Sequence, residues 1–194
     1  MKLLEEYIVN KGKVIDGDIL KVDMFLNHLV DVDLFNEMGK EFHRLFGDKP
    51  INKILTVEAS GIGIACIVAQ YFSVPVLFAK KGVHRNVGSD LYTADVFSYT
   101  KGTTTTIGVS RKYLQPEDHV LIIDDFLADG NASLGLISLI EQAGATLEGV
   151  GIAIEKGFQN GRSRLLEKGC DLKSLAVIKS MEGGKIVFAD EADS

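Results

Sequence analysis

The sequence predicts a single α/β domain whose central, mainly parallel sheet is flanked by helices. Three observations carry this expectation. From residue 53 onward, apolar runs of strand length alternate with stretches of helical period, the order that produces strand, helix, strand crossovers. The run in HVLIID is apolar at four successive positions and that in LEGVGIAIE nearly so, as strands covered on both faces are. Finally, 194 residues, 46% hydrophobic and 25% charged, fit one ordinary domain that buries a core without disulfides or metal.

Each element follows from its pattern. Leu3, Leu4, Tyr7 and Ile8 recur at helical spacing, and Leu34, Phe35, Met38, Phe42, Leu45 and Phe46 predict a second helix over residues 32–46. Between them, GDILKVDMFLNHLVD mixes periods but is apolar where an exposed linker would be polar, so it is expected to pack over a neighbour. KILTVE reads as a buried strand, SGIGIACIVAQYF as a helix opening on glycines and VPVLFAKK as the next strand. GVHRNVGSD has turn residues and no core pattern. It is expected to be a mobile loop leading into a hairpin of LYTADVFSY and TTTTIGVS, parted by TKG. HVLIID, the loop DFLADGN, a helix to about residue 143 and the strand LEGVGIAIE come next. A short helix over residues 163–168 and two strands, LKSLAVIKS and KIVFAD, close the chain.

Composition excludes several classes. A net charge of −6 argues against nonspecific affinity for nucleic acid, which an excess of Lys and Arg provides. Cys66 and Cys170 lie far apart with no ligand-spaced partner, which suggests neither a zinc site nor a disulfide; buried thiols in a reducing cytoplasm are expected. MKLLEEYIVNKGKV carries acids where a secretion signal needs apolar residues, and no apolar run approaches the roughly 20 residues that span a bilayer. His28, His43, His84 and His119 show no metal or triad spacing, so structural or surface roles are expected for them.

The chemistry concentrates in VLIIDDFLADGNAS. Its apolar run delivers Asp124 and Asp125 to the carboxyl end of a buried strand, where open parallel sheets bind ligands. Gly130 permits a tight turn with successive N–H groups pointing inward, and the helix starting near Ala132 adds its positive dipole end. That is a site for phosphate, with two carboxylates suited to neighbouring sugar hydroxyls, and together they describe a ribose 5-phosphate. Outside such a context, an acid pair and a glycine are more often an exposed strand end and a turn.

This segment resembles the signature of the type I phosphoribosyltransferases, an aliphatic run, two acids, two variable positions and then Ala-Thr-Gly-Gly-Thr. Ala128 and Gly130 match, while Asp129, Asn131 and Ala132 replace Thr, Gly and Thr. Two hydroxyl donors are thereby lost, and Asp129 sets a negative charge near a negative ligand unless it turns away to cap the helix. The resemblance implies that residues 128–132, with Asp124 and Asp125, bind 5-phosphoribosyl 1-diphosphate. Related enzymes that take the base proton with an acid can carry it where Ala128 stands, so no acid–base residue is assigned here. The loop Glu58, Ala59, Ser60, Gly61 and Ile62 matches the family's diphosphate loop. A strained non-proline peptide, of the kind that adopts the cis form, is implied around residues 59–61. Lys80 and Lys81 end the next strand, where at least one is expected to neutralise diphosphate; solvated charge is the plainer alternative for either taken alone. The loop after them, with Ser98, Tyr99 and Thr100 near its return arm, would close over the reacting centre and exclude water.

ILKVDMFLNHLVD, EASGIG, PVLFAKK, SYTKG and AGATLEGVGIAIEKGFQNGR extend the resemblance to the bacterial xanthine phosphoribosyltransferases over nearly the whole chain. It implies that Leu20, Asn27 and Lys156 grip xanthine, with Phe158 adding stacking. Without the resemblance, Leu20 is core, Asn27 a turn and Lys156 surface. It also implies a core over residues 51–155, a small hood over the base formed by residues 1–50 with the C-terminal part, magnesium carried on the activated sugar, and a homodimer. A purine-gene regulator that binds the same sugar as a signal is a rival, although residues 1–50 are few for a winged helix. A receiver-like domain is a second, but its acid pair should follow the first strand.

Overall fold

The computed structural model describes residues 1–16, 19–83, 90–98 and 102–189. Residues 84–89 of the expected mobile loop, His84 with them, and Tyr99 and Thr100 lie outside the described residues. The chain opens with α1 (Lys2–Lys11), the hairpin β1 (Lys13–Ile15) and β2 (Ile19–Lys21), a π-helical turn over Asp23–Asn27, and α2 (Val32–Phe46). The core then runs β3 (Lys53–Val57), α3 (Ser60–Phe72), β4 (Val76–Lys81), β5 (Leu91–Ser98), β6 (Thr103–Ser110), β7 (His119–Leu127), α4 (Asn131–Ala143) and β8 (Thr146–Lys156). α5 (Gly161–Glu167), β9 (Leu172–Ser180) and β10 (Val187–Phe188) complete it.

One sheet of eight strands has the order β10-β9-β8-β7-β3-β4-β6-β5. The middle five, β9 to β4, are parallel; β10, β6 and β5 pair antiparallel at the two ends. The parallel strands therefore reverse direction of build between β3 and β7, and that switch point opens a crevice at their carboxyl ends. Successive residues of β7 show why its run is unbroken: Leu121 and Ile123 pack on the side of α2 and α3, while Val120 and Ile122 pack on the side of α4. Asp31 caps α2 by accepting from the Leu34 N–H at 3.1 Å, and Leu34, Phe35, Met38, Phe42 and Phe46 form its buried stripe.

The N-terminal elements lie at the β9 end. α1 packs on β9, the terminal ammonium donates to the Leu175 carbonyl, and β1 lies against the turn over Glu182–Gly184. The mixed-period segment thus becomes a hairpin and a π-turn that bury Leu20, Val22, Phe25 and Leu26.

Two expectations need correction. β7 does not end at Asp124 but continues through Leu127, because Phe126 and Leu127 keep pairing with Ile154 and Glu155 of β8. Cys66 is exposed, not buried: α3 is apolar on most of its circumference, so composition hides its outward face. Cys170 is buried, and burial raises its thiol pKa.

Candidate functional site

Leu55 pairs with Ile122, and β3 stops at Val57 while β7 runs on, so the loop after β3 stands beside Asp124 and Asp125. The fit there is close. A side-chain carbon on Gly61 would collide with the Thr56 hydroxyl and lie 3.0 Å from Asp124 Oδ1. Thr56 Oγ1 is buried with no hydrogen-bond partner among the described residues. The cis peptide of the described residues joins Glu58 to Ala59, just ahead of residues 59–61, and the N-terminus of α3 follows at Ser60.

Asp124 is only 4% exposed. Burial, and then the neighbouring Asp125 charge, hold its carboxyl well above the usual carboxylate range. Burial also raises Asp125, against hydrogen bonds from Asp124, the Phe126 N–H and Ser60 that favour its charged form. The Asp125 N–H donates to Asp124 Oδ1 at 3.0 Å, and the Phe126 N–H to Asp125 Oδ1 at 3.0 Å. Asp125 is the less buried of the two.

Beyond β7 the chain turns at Gly130, whose φ of 79° is the left-handed conformation that side chains resist. A side-chain carbon there would also come within 3.2 Å of Gly161 Cα. The Gly161 N–H donates to the Ala128 carbonyl at 2.9 Å and ties this loop to the start of α5. Ala128, Asp129, Gly130, Asn131, Ala132 and Ser133 line a cleft of about 280 Å³, with Lys81, Phe97 and Phe126 among its walls. No side chain caps α4, and Gly130 occupies the cap position, so Asp129 does not turn away as a helix cap. The bare amide end of α4 faces this cleft.

The two lysines of β4 part company because strand neighbours face opposite ways. Lys81 lines the cleft and acts electrostatically on Asp124, while its own N–H donates to Glu58. Lys80 lines a different hollow beside Phe78 and Tyr113.

Leu20, Asn27 and Lys156 stand on three elements. Leu20 on β2 is 7% exposed and part of the core; Asn27 ends the exposed side of the π-turn; Lys156 ends β8, at the same sheet edge as the acid pair. Beside Lys156, Glu155 is 1% exposed and accepts from Arg162 Nε and Nη2, at 2.7 and 2.9 Å, and from the Ser174 hydroxyl at 2.5 Å. Phe158 is exposed.

Sequence reading missed Thr56, Arg162 and Arg164. Arg164 Nη1 donates to the Asp129 carbonyl and, at 2.8 Å, to Asn131 Oδ1. Its only signal was a basic residue in a short helix with no motif around it.

The chain is 63% identical over 190 residues to the xanthine phosphoribosyltransferase of Ruminiclostridium cellulolyticum, covering 98% of this chain and 100% of that one. The chain belongs to the xanthine phosphoribosyltransferase family. Another member of that family, from Clostridium novyi, is 56% identical over 188 residues, covering 97% of this chain and 99% of its own. No family model matches the chain. Among solved structures, the adenine phosphoribosyltransferase of Thermoanaerobacter pseudethanolicus superposes with a TM-score of 0.74 at 20% identity, over 90% of this chain and 98% of that one. The family's type I fold, expected from the acid-pair segment, is therefore the fold of this chain. No helix among the described residues is long and apolar enough to cross a membrane.

Proposed function

We infer that this chain is a purine-salvage enzyme that transfers the 5-phosphoribosyl group from 5-phosphoribosyl 1-diphosphate to xanthine, giving xanthosine 5′-monophosphate and diphosphate. The observation that carries the reading is one juxtaposition. A glycine-turned amide loop and a lysine line one cleft, and an acid pair, with Asp124 in electrostatic reach of that lysine, lies near the end of β7 at the sheet's switch point, in a chain of this family.

In this reading the amides of residues 128–132 hold the 5-phosphate and Asp125 meets the ribose hydroxyls, with Asp124 packed beneath it. The Ser60 and Gly61 amides and Lys81 hold diphosphate, whereas Lys80 faces elsewhere and plays no part. A ring nitrogen of xanthine bonds to ribose C1 as the C1–O bond breaks; the electron pair leaves with diphosphate, and the proton of that nitrogen passes to solvent. Positioning and stabilisation of the departing diphosphate supply the rate. Two adjacent carboxylates are a small donor set, which fits a magnesium ion held chiefly by the diphosphate; bound there, it would neutralise charge on the leaving group.

Leu20 covers a face of xanthine, Asn27 meets its polar edge and Lys156 a carbonyl or the anionic base. Residues 1–50 and the C-terminal part form the hood over the base, beside the core of residues 51–155. A homodimer is proposed, because Leu29, Val30 and Val32 leave apolar surface exposed at the start of α2. The cytoplasm is the proposed compartment.

Steady-state transfer with xanthine, guanine, hypoxanthine and adenine tests the substrate. Xanthine should be used with the highest kcat/KM, and reaction of the other bases without xanthine would defeat the reading. Binding of the activated sugar with no turnover would favour the regulator.

A further inference from the structure

We infer that Asn131, where the type I signature carries glycine, is a positioning residue that latches the β5–β6 hairpin to the phosphate loop, with Arg164 as its anchor. The inference rests on the proposed role of residues 128–132 in holding the sugar phosphate.

The Asn131 side chain uses both ends of its amide. Its nitrogen donates to the Phe97 carbonyl at 3.0 Å, and its oxygen accepts from Arg164 Nη1 at 2.8 Å. The same Arg164 nitrogen holds the Asp129 carbonyl, so one guanidinium on α5 fixes the loop on either side of Gly130. Three elements distant in sequence, β5, α4 and α5, thus meet at one side chain, and a glycine there would leave the junction empty.

β5 is the edge strand of the sheet, with β6 as its one neighbour, so its outer carbonyls need partners. Thr93 and Phe97 are four residues apart, and their carbonyls point to the same side. α4 satisfies both: Gln142 Nε2 donates to the Thr93 carbonyl at 2.9 Å, and Asn131 donates to that of Phe97. Between these points Gly135 lets the hairpin sit close, since a side-chain carbon on it would come within 2.6 Å of Val96 Cγ2. The Asn131 latch is the one at the cleft, where Phe97 and Asn131 both form the wall. Each end of the amide is held by the protein, and in that arrangement the side chain serves the phosphate by holding the backbone of its loop. Hydroxyls lost at Asp129 and Ala132 are thereby offset by a loop tethered from two sides.

The test uses Asn131→Ala, Arg164→Gln and the double variant of the full chain. Two hydrogen bonds are lost at Asn131, so KM for phosphoribosyl diphosphate should rise about tenfold while KM for xanthine stays within about twofold. The double variant should be no more than about twofold worse than the poorer single one, because both act through one junction. Hydrogen exchange at residues 91–98 should quicken in Asn131→Ala whether or not transfer is measured. An unchanged KM for the activated sugar, additive effects, or unchanged exchange at β5 would each overturn the latch. Should Asn131→Ala not fold, Asn131→Gly carries the same expectations. A wild-type chain that transfers nothing, with β5 exchange still quickened by the substitution, would defeat the functional reading and leave the latch standing.

Discussion

The proposed phosphate cleft and the proposed base side are built in contrasting ways. At the cleft, loops that directly follow β3 and β7 present main-chain amides, and the residues that matter most, Gly61 and Gly130, matter because they have no side chain. At the base side, Leu20, Asn27 and Lys156 come from β2, the π-turn and the end of β8, and each would contribute only through its side chain. A backbone grip would tolerate changes of side chain around it, which is how Asp129 and Ala132 could stand where the type I signature has threonines. A side-chain grip tolerates few changes, and that is where a choice among related purines can be made.

The sharpest break of this comparison is at Gly130. Gly130→Val forces a β-branched residue into a left-handed conformation against Gly161, and transfer should fall on the order of 100-fold or more, since small misplacements of a binding loop are that costly. Its control is Asp129→Thr, which leaves the backbone alone and should keep kcat/KM within about threefold. Equal losses would show that side chains carry the grip after all. Next in size is the pair of lysines. Lys81→Ala should raise KM for phosphoribosyl diphosphate by about 10- to 100-fold, as loss of a charge-assisted contact does, while Lys80→Ala changes it less than about twofold. The reverse ranking would remove Lys81 from the site.

The smallest effect concerns stability. Asp124 has a folded-state pKa raised above its unfolded value, so the folded chain binds its proton more tightly. Stability from this group is complete below the unfolded value, falls as pH rises through the window up to the raised value, and stays lower at neutral pH. Asp124→Asn should therefore melt higher than the wild type at pH 7, at about 2–4 °C for each kcal/mol gained, and show a flatter dependence of Tm on pH across that window. Transfer should fall in the same variant. A lower Tm at pH 7 would mean that the charged carboxylate contributes stability through contacts other than those seen.

Much of the architecture was legible because it repeats simple periods. The four apolar residues before Asp124 could only be a strand covered on both faces, and the stripe from Leu34 to Phe46 could only be a half-buried helix. The acid pair and Gly130 were legible by type and spacing. What was not legible depended on neighbours far along the chain. The continuation of β7 past the acids is imposed by β8, which nothing in DDFL announces. The division of labour between Lys80 and Lys81 follows from the pleat phase of β4, which adjacent identical residues cannot reveal. Arg164 matters through a carbonyl and an amide, groups without sequence identity or with many other uses. Leu20, Asn27 and Lys156 were named through family resemblance alone, because burial, a turn and surface charge are what such residues ordinarily mean.

Because β3 stops at Val57 while β7 runs to Leu127, the rim of the sheet is a stair with two treads. On the proposed reading the diphosphate of the activated sugar rests on the lower tread and its 5-phosphate on the upper, with the ribose spanning the riser. Only the intact substrate reaches both. Once the bond at C1 breaks, the nucleotide keeps the upper tread and the diphosphate the lower, so each product is held by half of what held the substrate. The step height, fixed by where two neighbouring strands end, would on that reading help the products to leave.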